Sequence, residues 1–296
     1  MLIDKFLQYL EYEKGYSSHT LVSYRTDLCQ FREYVEERGS KEFDPTMIGS
    51  EEVRQWVIDL KMGGEKSTSV NRKLSALKSF FKYLKKNGCV QSSPMRKVVS
   101  PKKEKRLPVF VKENEMENLL DYNEEVFPED FEGRRNRLIV EMFYSLGVRL
   151  SELIGMKNVD VDLAECSVKV LGKGNKERKI PFGRALKNSI EKYMEERKTV
   201  EIQNREFFFQ RENGEPLYPM LVYRMVKKYI GMVSTITKKS PHVLRHSFAT
   251  AMLNHGAELD VVKELLGHAN LAATEVYTHT TFEQLQSIYK QAHPRA

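Results

Sequence analysis

The sequence is poor in the features that mark several protein classes. It holds three cysteines, Cys29, Cys89 and Cys166, far apart and without C-x-x-C spacing. An odd number so placed implies neither a disulfide framework nor a zinc ribbon, and reduced thiols are expected. No apolar stretch approaches the roughly 20 residues of a membrane span. The start, Met1-Leu2-Ile3-Asp4-Lys5, turns polar at once, unlike a signal peptide. A cytoplasmic chain without a membrane partner is therefore expected. There is no internal repeat, no low-complexity tract and no obvious carboxylate cluster of the kind that holds two catalytic metals, so no metal and no cofactor are expected.

What is present is a globular composition, 41% hydrophobic and 30% charged over 296 residues, long enough for two domains. The net charge of +7 is unevenly spread. Residues 66–106 carry thirteen Lys/Arg against one Asp/Glu, residues 1–65 carry eight against thirteen, and residues 107–296 balance at 27 of each. A short segment holding more than the whole excess of positive charge is the footprint of a polyanionic partner, nucleic acid above a merely solvated lysine-rich helix.

The first hundred residues show helical periodicity. Ile3, Phe6, Leu7 and Leu10 begin it, and Leu21, Tyr24, Leu28, Phe31 and Val35 follow the cap-like Ser17-Ser18. A third helix opens at Ser50-Glu51-Glu52 and ends at Gly63-Gly64. The fourth runs from Ser67 to Gly88, with Val70, Leu74, Leu77, Phe81 and Leu84 inward and Arg72, Lys73, Lys78, Lys82, Lys85 and Lys86 outward. The stretch from Ser92 through Pro101-Lys102-Lys103 to Arg106 has proline and cations but no periodicity, as a linker does. The expected division is therefore 1–88 helical domain, 89–106 basic linker and 107–296 second domain. Beyond the linker, helices are expected at 113–120, 134–146, 185–198, 220–233, 241–254, 259–266 and 282–292. Strands are expected at 167–171 and 178–181 around an exposed Gly172-Lys173-Gly174-Asn175 turn, with Phe207-Phe208-Phe209 as a further candidate strand.

Three segments of the second domain offer groups suited to a phosphate diester. Gly147-Val148-Arg149-Leu150-Ser151-Glu152 places Arg149 in a break between helices, where a guanidinium can turn toward a ligand. Pro241-His242-Val243-Leu244-Arg245-His246, with Ser240 as cap, puts His242 and Arg245 on one face of a first helical turn, at the dipole end that favours anions. His242 and His246 also have the i, i+4 spacing of a zinc helix, but Val243 stands where that motif needs glutamate. Leu266-Gly267-His268 projects His268 from a capped helix end, and Tyr277 follows nine residues later.

Together Arg149, Arg245, His242, His268, Lys173 and Tyr277 make an inventory for phosphoryl transfer without metal. Two guanidiniums and an imidazole can stabilise charge on nonbridging oxygens. The Tyr277 phenol, with an ordinary pKa of about 10, must lose its proton as it attacks, and His242 is the candidate base. Lys173 is the candidate general acid for the departing sugar oxygen.

On Gly147–Leu153, Gly172–Arg178, His242–Thr250, Leu266-Gly267-His268 and Tyr277-Thr278-His279, the chain resembles the tyrosine recombinases (phage integrase family), and within them the bacterial Xer group. The resemblance covers nearly the whole chain. It implies that these six are the active-site residues and that the reaction passes through a 3′-phosphotyrosyl intermediate. It further implies a mainly α protein: a helical N-terminal core-binding domain, and an α-rich catalytic domain with a small antiparallel β-sheet, forming a C-shaped DNA clamp. The clamp would set Arg72, Lys73, Lys78, Lys82, Lys102 and Lys103 against phosphates. The resemblance implies a homo- or hetero-tetramer on a specific site, helix 282–292 docked on a neighbour, a related partner recombinase and a DNA translocase activator. The implied task is resolution of chromosome or plasmid dimers. The alternatives are a mobile-element integrase, a relaxing topoisomerase of the same chemistry, or a catalytically silent DNA-binding protein.

Overall fold

The computed structural model describes residues 2–39, 42–102, 108–122, 126–172, 176–198, 206–267 and 281–296. The chain folds as two compact units, Met1–Arg106 and Leu107–Ala296.

The first unit is helical. Helix α1 (Leu2–Gln8) runs into a π turn at Tyr9–Glu13, and α2 (Ser18–Gly39), α3 (Ser50–Met62) and α4 (Ser67–Lys86) follow. Each apolar stripe read from the sequence packs on one core: Phe6, Phe31, Val53, Trp56, Leu77, Phe80 and Phe81 are sealed in it, and Leu21, Tyr24 and Val35 are half-buried against it. Phe31 meets Trp56 edge to face at 4.9 Å, a geometry worth about 1 kcal/mol beyond the area buried. The π turn is a departure from the expected continuous first helix, and no residue in Tyr9–Glu13 announces it.

In the second unit, α5 (Glu113–Glu117) leads into a π turn at Asn118–Tyr122. Helices α6 (Phe131–Leu146) and α7 (Leu150–Ile154) precede a three-stranded antiparallel sheet ordered β1 (Val161–Asp162), β2 (Ser167–Leu171), β3 (Glu177–Pro181). Val168 pairs with Ile180 and Val170 with Arg178. Helices α8 (Arg184–Arg197), α9 (Pro219–Val233), α10 (Pro241–Asn254), α11 (Leu259–Leu266) and α12 (Phe282–Ala292) complete it. Among the described residues the chain is thus mainly helical with one small sheet. The apolar run Phe207-Phe208-Phe209 forms no strand. It makes a single bridge from Phe207 to Lys157 and buries both Phe208 and Phe209, whereas a half-buried strand would alternate.

Helix α6 is the spine of this unit: residues 138–146 are all buried. Helix α10 packs on it, and α12 covers α10 and β3. The stripe of α12 is used within the chain itself, since Leu285, Tyr289 and Ala292 are buried in the core of their own unit. The segment that follows is anchored there too. The His293 ring stacks on Tyr289 at 4.8 Å, and Arg295 reaches the buried Glu141 at 2.8 Å.

Candidate active site

Four helix ends build the site. Helix α6 stops at Gly147, whose φ of 58° is left-handed. Glycine is needed there twice over, because a Cβ would come within 2.5 Å of Phe248 and 2.9 Å of Leu266. The chain turns, and Arg149 becomes the N-cap of α7. Its backbone N–H donates to Glu152 Oε2 at 2.7 Å, and its own Nη1 donates to Glu152 Oε1 at 2.7 Å. The same glutamate thus closes the helix end and steers the guanidinium.

Arg245 arrives from the start of the second turn of α10 and is only 7% exposed. Its Nη1 donates to the Gly147 carbonyl at 2.5 Å and its Nη2 to the Leu266 carbonyl at 2.6 Å. Arg149 Nη2 donates to the next carbonyl, Gly267, at 2.8 Å. Both guanidiniums are therefore fixed on one ledge, the C-terminal end of α11, whose carbonyls carry negative partial charge and suit cations. Each arginine has five N–H donors, so donors beyond those bound to the ledge remain for an oxyanion.

The electrostatics are those of a site built for an anion. Burial, then the neighbouring Arg149, lower the Arg245 pKa to about 10, with Glu152 opposing. For Glu152 burial pushes the carboxyl up, but hydrogen bonds from Arg178 and Arg149 more than offset it and hold the pKa at about 2. At neutral pH one carboxylate among the described residues therefore faces three guanidiniums, which leaves an excess of positive charge suited to an anion.

His242 lies one turn before Arg245 on α10 and keeps an exposed edge. The surrounding protein, then His246, Arg245, Lys238 and Arg149, lower its pKa below the usual 6.5. It is neutral at pH 7 and able to accept a proton. Ser240 occupies the N-cap of α10, but its side chain makes no cap bond.

Arg149, His242 and Arg245 are therefore brought together. Lys173, His268 and Tyr277 lie outside the described residues. The described chain nevertheless leads to two of them from the site itself: Gly267, which precedes His268, is held by Arg149, and Gly172, which precedes Lys173, lies beside the Glu152–Arg178 pair. Glu152 and Arg178 have no role in the inventory drawn from the sequence. The R-x-x-E spacing of Arg149 and Glu152, in which the N3 glutamate accepts the N–H of the N-cap residue, is the available signal for the first.

Of the basic residues expected to face a polyanion, Lys78, Lys82 and Lys102 are exposed, and Lys103 lies outside the described residues. Arg72 is half exposed and donates to buried Asp27 at 2.5 Å. Lys73 corrects the expectation, for it points inward. Its side chain is 5% exposed, its ammonium meets Glu65 at 3.1 Å and also binds Gln30, and it lies over the Trp56 ring. It sits three residues after Val70 and four before Leu77, on the core face of α4, where its methylene stem covers the indole.

Two family models match the chain: the phage integrase family over residues 109–284, and the phage integrase N-terminal SAM-like domain over residues 3–88. The chain belongs to the phage integrase family, the tyrosine recombinases. Among curated relatives, tyrosine recombinase XerC of Chlorobaculum tepidum is 40% identical over 99% of this chain and 94% of its own length. Tyrosine recombinase XerC of Staphylococcus saprophyticus is 40% identical over 98% of this chain and 96% of its own. The fold is shared with the Tn1549 transposon integrase in complex with transposon right end DNA, at a TM-score of 0.74, 18% identity and 98% of both chains covered. It is shared also with XerH site-specific recombinase bound to palindromic difH substrate, at a TM-score of 0.70 and 22% identity, covering 93% of this chain and 76% of that one.

Proposed function

We propose that this chain cuts and rejoins duplex DNA at a specific site, with Tyr277 as nucleophile and a 3′-phosphotyrosyl intermediate, and that it resolves chromosome or plasmid dimers in the bacterial cytoplasm. The observation that carries this reading is the fixing of Arg149 and Arg245 on adjacent carbonyls of one helix end, with a neutral His242 alongside. Similarity to XerC recombinases over nearly the full length supports the particular task.

In this mechanism Arg149 and Arg245 hold the nonbridging oxygens of the scissile phosphate and stabilise the charge that grows there. The Tyr277 oxygen forms a bond to phosphorus, the bond to the 5′ oxygen breaks, and the phenolic proton passes to His242. Lys173 protonates the departing 5′ oxygen, and His268 adds a further donor to the phosphate. Attack by a 5′-hydroxyl reverses the steps, so the ester conserves the energy of the broken bond and no ATP is needed.

Residues 107–296 form the catalytic domain in this reading. Residues 1–88 and the linker 89–106 grip the duplex through Arg72, Lys78, Lys82, Lys102 and Lys103. A tetramer on paired sites, a related partner recombinase and a DNA translocase activator belong to the same proposal.

The test is incubation with a nicked duplex, its sequence selected from a random pool for tight binding, in the presence of a chelator and followed by denaturing electrophoresis. The expected result is a protein–DNA adduct that survives chelation and is absent for Tyr277→Phe. Cleavage that requires a divalent metal and leaves no adduct would overturn the reading.

A further inference from the structure

Three consecutive carbonyls at the end of α11 are each held by a different arginine. Leu265 accepts from Arg178 Nε at 2.8 Å, Leu266 from Arg245 at 2.6 Å and Gly267 from Arg149 at 2.8 Å. Two of these arginines belong to the proposed site. The third comes from β3, is 12% exposed, and uses both Nη groups to chelate the Glu152 carboxylate at 2.9 and 2.8 Å. We propose that Arg178 is a positioning residue for strand cleavage: by locking Glu152 to the end of α11 it fixes the Arg149 guanidinium in register with that of Arg245. The inference rests on the function proposed above.

Shared acceptors tie the three arginines together. Glu152 is gripped from one side by Arg149 and from the other by Arg178, so the carboxylate cannot rotate without breaking charge-assisted bonds on both. Arg178 also seats the ledge to which both site arginines are bound. Gly267 shows how close the fit is: its φ is 63°, and a Cβ there would approach Arg178 Nη1 to 3.0 Å and Cδ to 3.1 Å. Lysine, a point charge on a flexible stem, cannot hold two carboxylate oxygens and a carbonyl in one plane.

The charged groups facing Glu152 among the described residues are Arg149 from the α6–α7 turn, Arg178 from β3 and Arg245 from α10. Without Arg178 the buried carboxyl loses two of its bonds, and burial then drives its pKa upward. Once protonated it is a poor anchor for Arg149. A positioning role therefore predicts an acid-side loss of cleavage that simple destabilisation does not.

The test uses the full chain with Arg178→Met and with Arg178→Lys, which keeps the charge. Glu152 is titrated by carboxyl ¹³C NMR in the free protein. Single-turnover adduct formation on the selected nicked duplex is followed between about pH 5.5 and 8, with duplex affinity and thermal melting measured separately. We expect Glu152 of the native chain to stay ionised down to about pH 2 and to titrate higher in Arg178→Met. Adduct formation should slow on the order of 10²-fold at the acid end, as a misplaced guanidinium predicts. The loss should be smaller at the alkaline end, intermediate for Arg178→Lys, and accompanied by little change in affinity. Unchanged rates, or losses that only track affinity or the unfolded fraction, overturn the inference. If the native chain forms no adduct, the cleavage reading fails. A Glu152 shift alone then makes Arg178 merely structural, which overturns the positioning role as well.

Discussion

A buried carboxylate beside an arginine occurs in both units, and two of them, Asp27 in the first and Glu152 in the second, are treated in opposite ways. Asp27 in the first unit accepts one guanidinium bond, from Arg72, and its Oδ1 is buried without a partner. Burial wins there, and its pKa is raised. Glu152 in the second unit accepts four bonds, from the Arg149 N–H, Arg149 Nη1 and both Nη groups of Arg178, and its pKa falls to about 2. The contrast shows how the number of charge-assisted bonds decides whether a buried charge is tolerated or exploited. Asp27 is a structural compromise between helices. Glu152 is a saturated acceptor that holds the Arg149 guanidinium still.

Loss of a guanidinium should separate the two clusters most widely. Arg245→Ala should slow adduct formation by about 10²–10³-fold, the cost of losing one oxyanion donor. Arg72→Ala should leave the chemical step within about threefold once duplex is saturating, because its bond to Asp27 does no chemistry. Single-turnover assays decide. A comparable loss of chemistry in both would break the contrast.

Removing the carboxylates comes next in size. Glu152→Ala leaves three guanidiniums together and should cost about 3 kcal/mol or more, whereas Asp27→Asn should cost about 1 kcal/mol or less. Calorimetric melting of the two variants gives the ratio. Equal losses would mean that Glu152 is no better used than Asp27.

pH separates them further, and the sign differs. Glu152 has a depressed folded pKa, so its stabilisation, about 3 kcal/mol, is full above its ordinary 4.5 and is lost as pH falls toward about 2. Asp27 has a raised folded pKa, so its penalty is present at neutral pH and is relieved as pH falls. Glu152→Gln should thus flatten the acid loss of stability, and Asp27→Asn should remove an acid gain. Urea unfolding of each variant at several acid pH values measures both. An unchanged acid profile in Glu152→Gln would contradict its low pKa.

The smallest effects concern the basic face of α4. Lys78→Ala and Lys82→Ala should each lower the salt slope of duplex binding by about 1, while Lys73→Met should leave the slope unchanged because its ammonium is committed to Glu65. Fluorescence anisotropy across a salt series distinguishes them.

Much of this organisation is legible in the sequence, because periodicity and caps are local. Helices α10, α11 and α12 have the ends that Ser240-Pro241, Gly267 and the 282–292 stripe announce. Arg149 in the break after Gly147 is legible for the same reason. Lys73 misleads only if charge is taken as a mark of the outer face, since the Val70–Leu77 spacing already places it inward. Glu152–Arg178 and Arg178–Leu265 are not legible, since they join residues 26 and 87 positions apart and exist only once β3 lies against α11. The π turns that follow α1 and α5 likewise carry no local signal.

The most direct measurement is a crystal structure of the chain on a nicked duplex trapped before cleavage with Tyr277→Phe. The account predicts one backbone phosphate with nonbridging oxygens about 2.7–3.1 Å from guanidinium nitrogens of both Arg149 and Arg245, beside His242 and next to the ring of residue 277. A duplex bound elsewhere, with both guanidiniums still facing only the Gly147 carbonyl, the α11 carbonyls and Glu152, would contradict it.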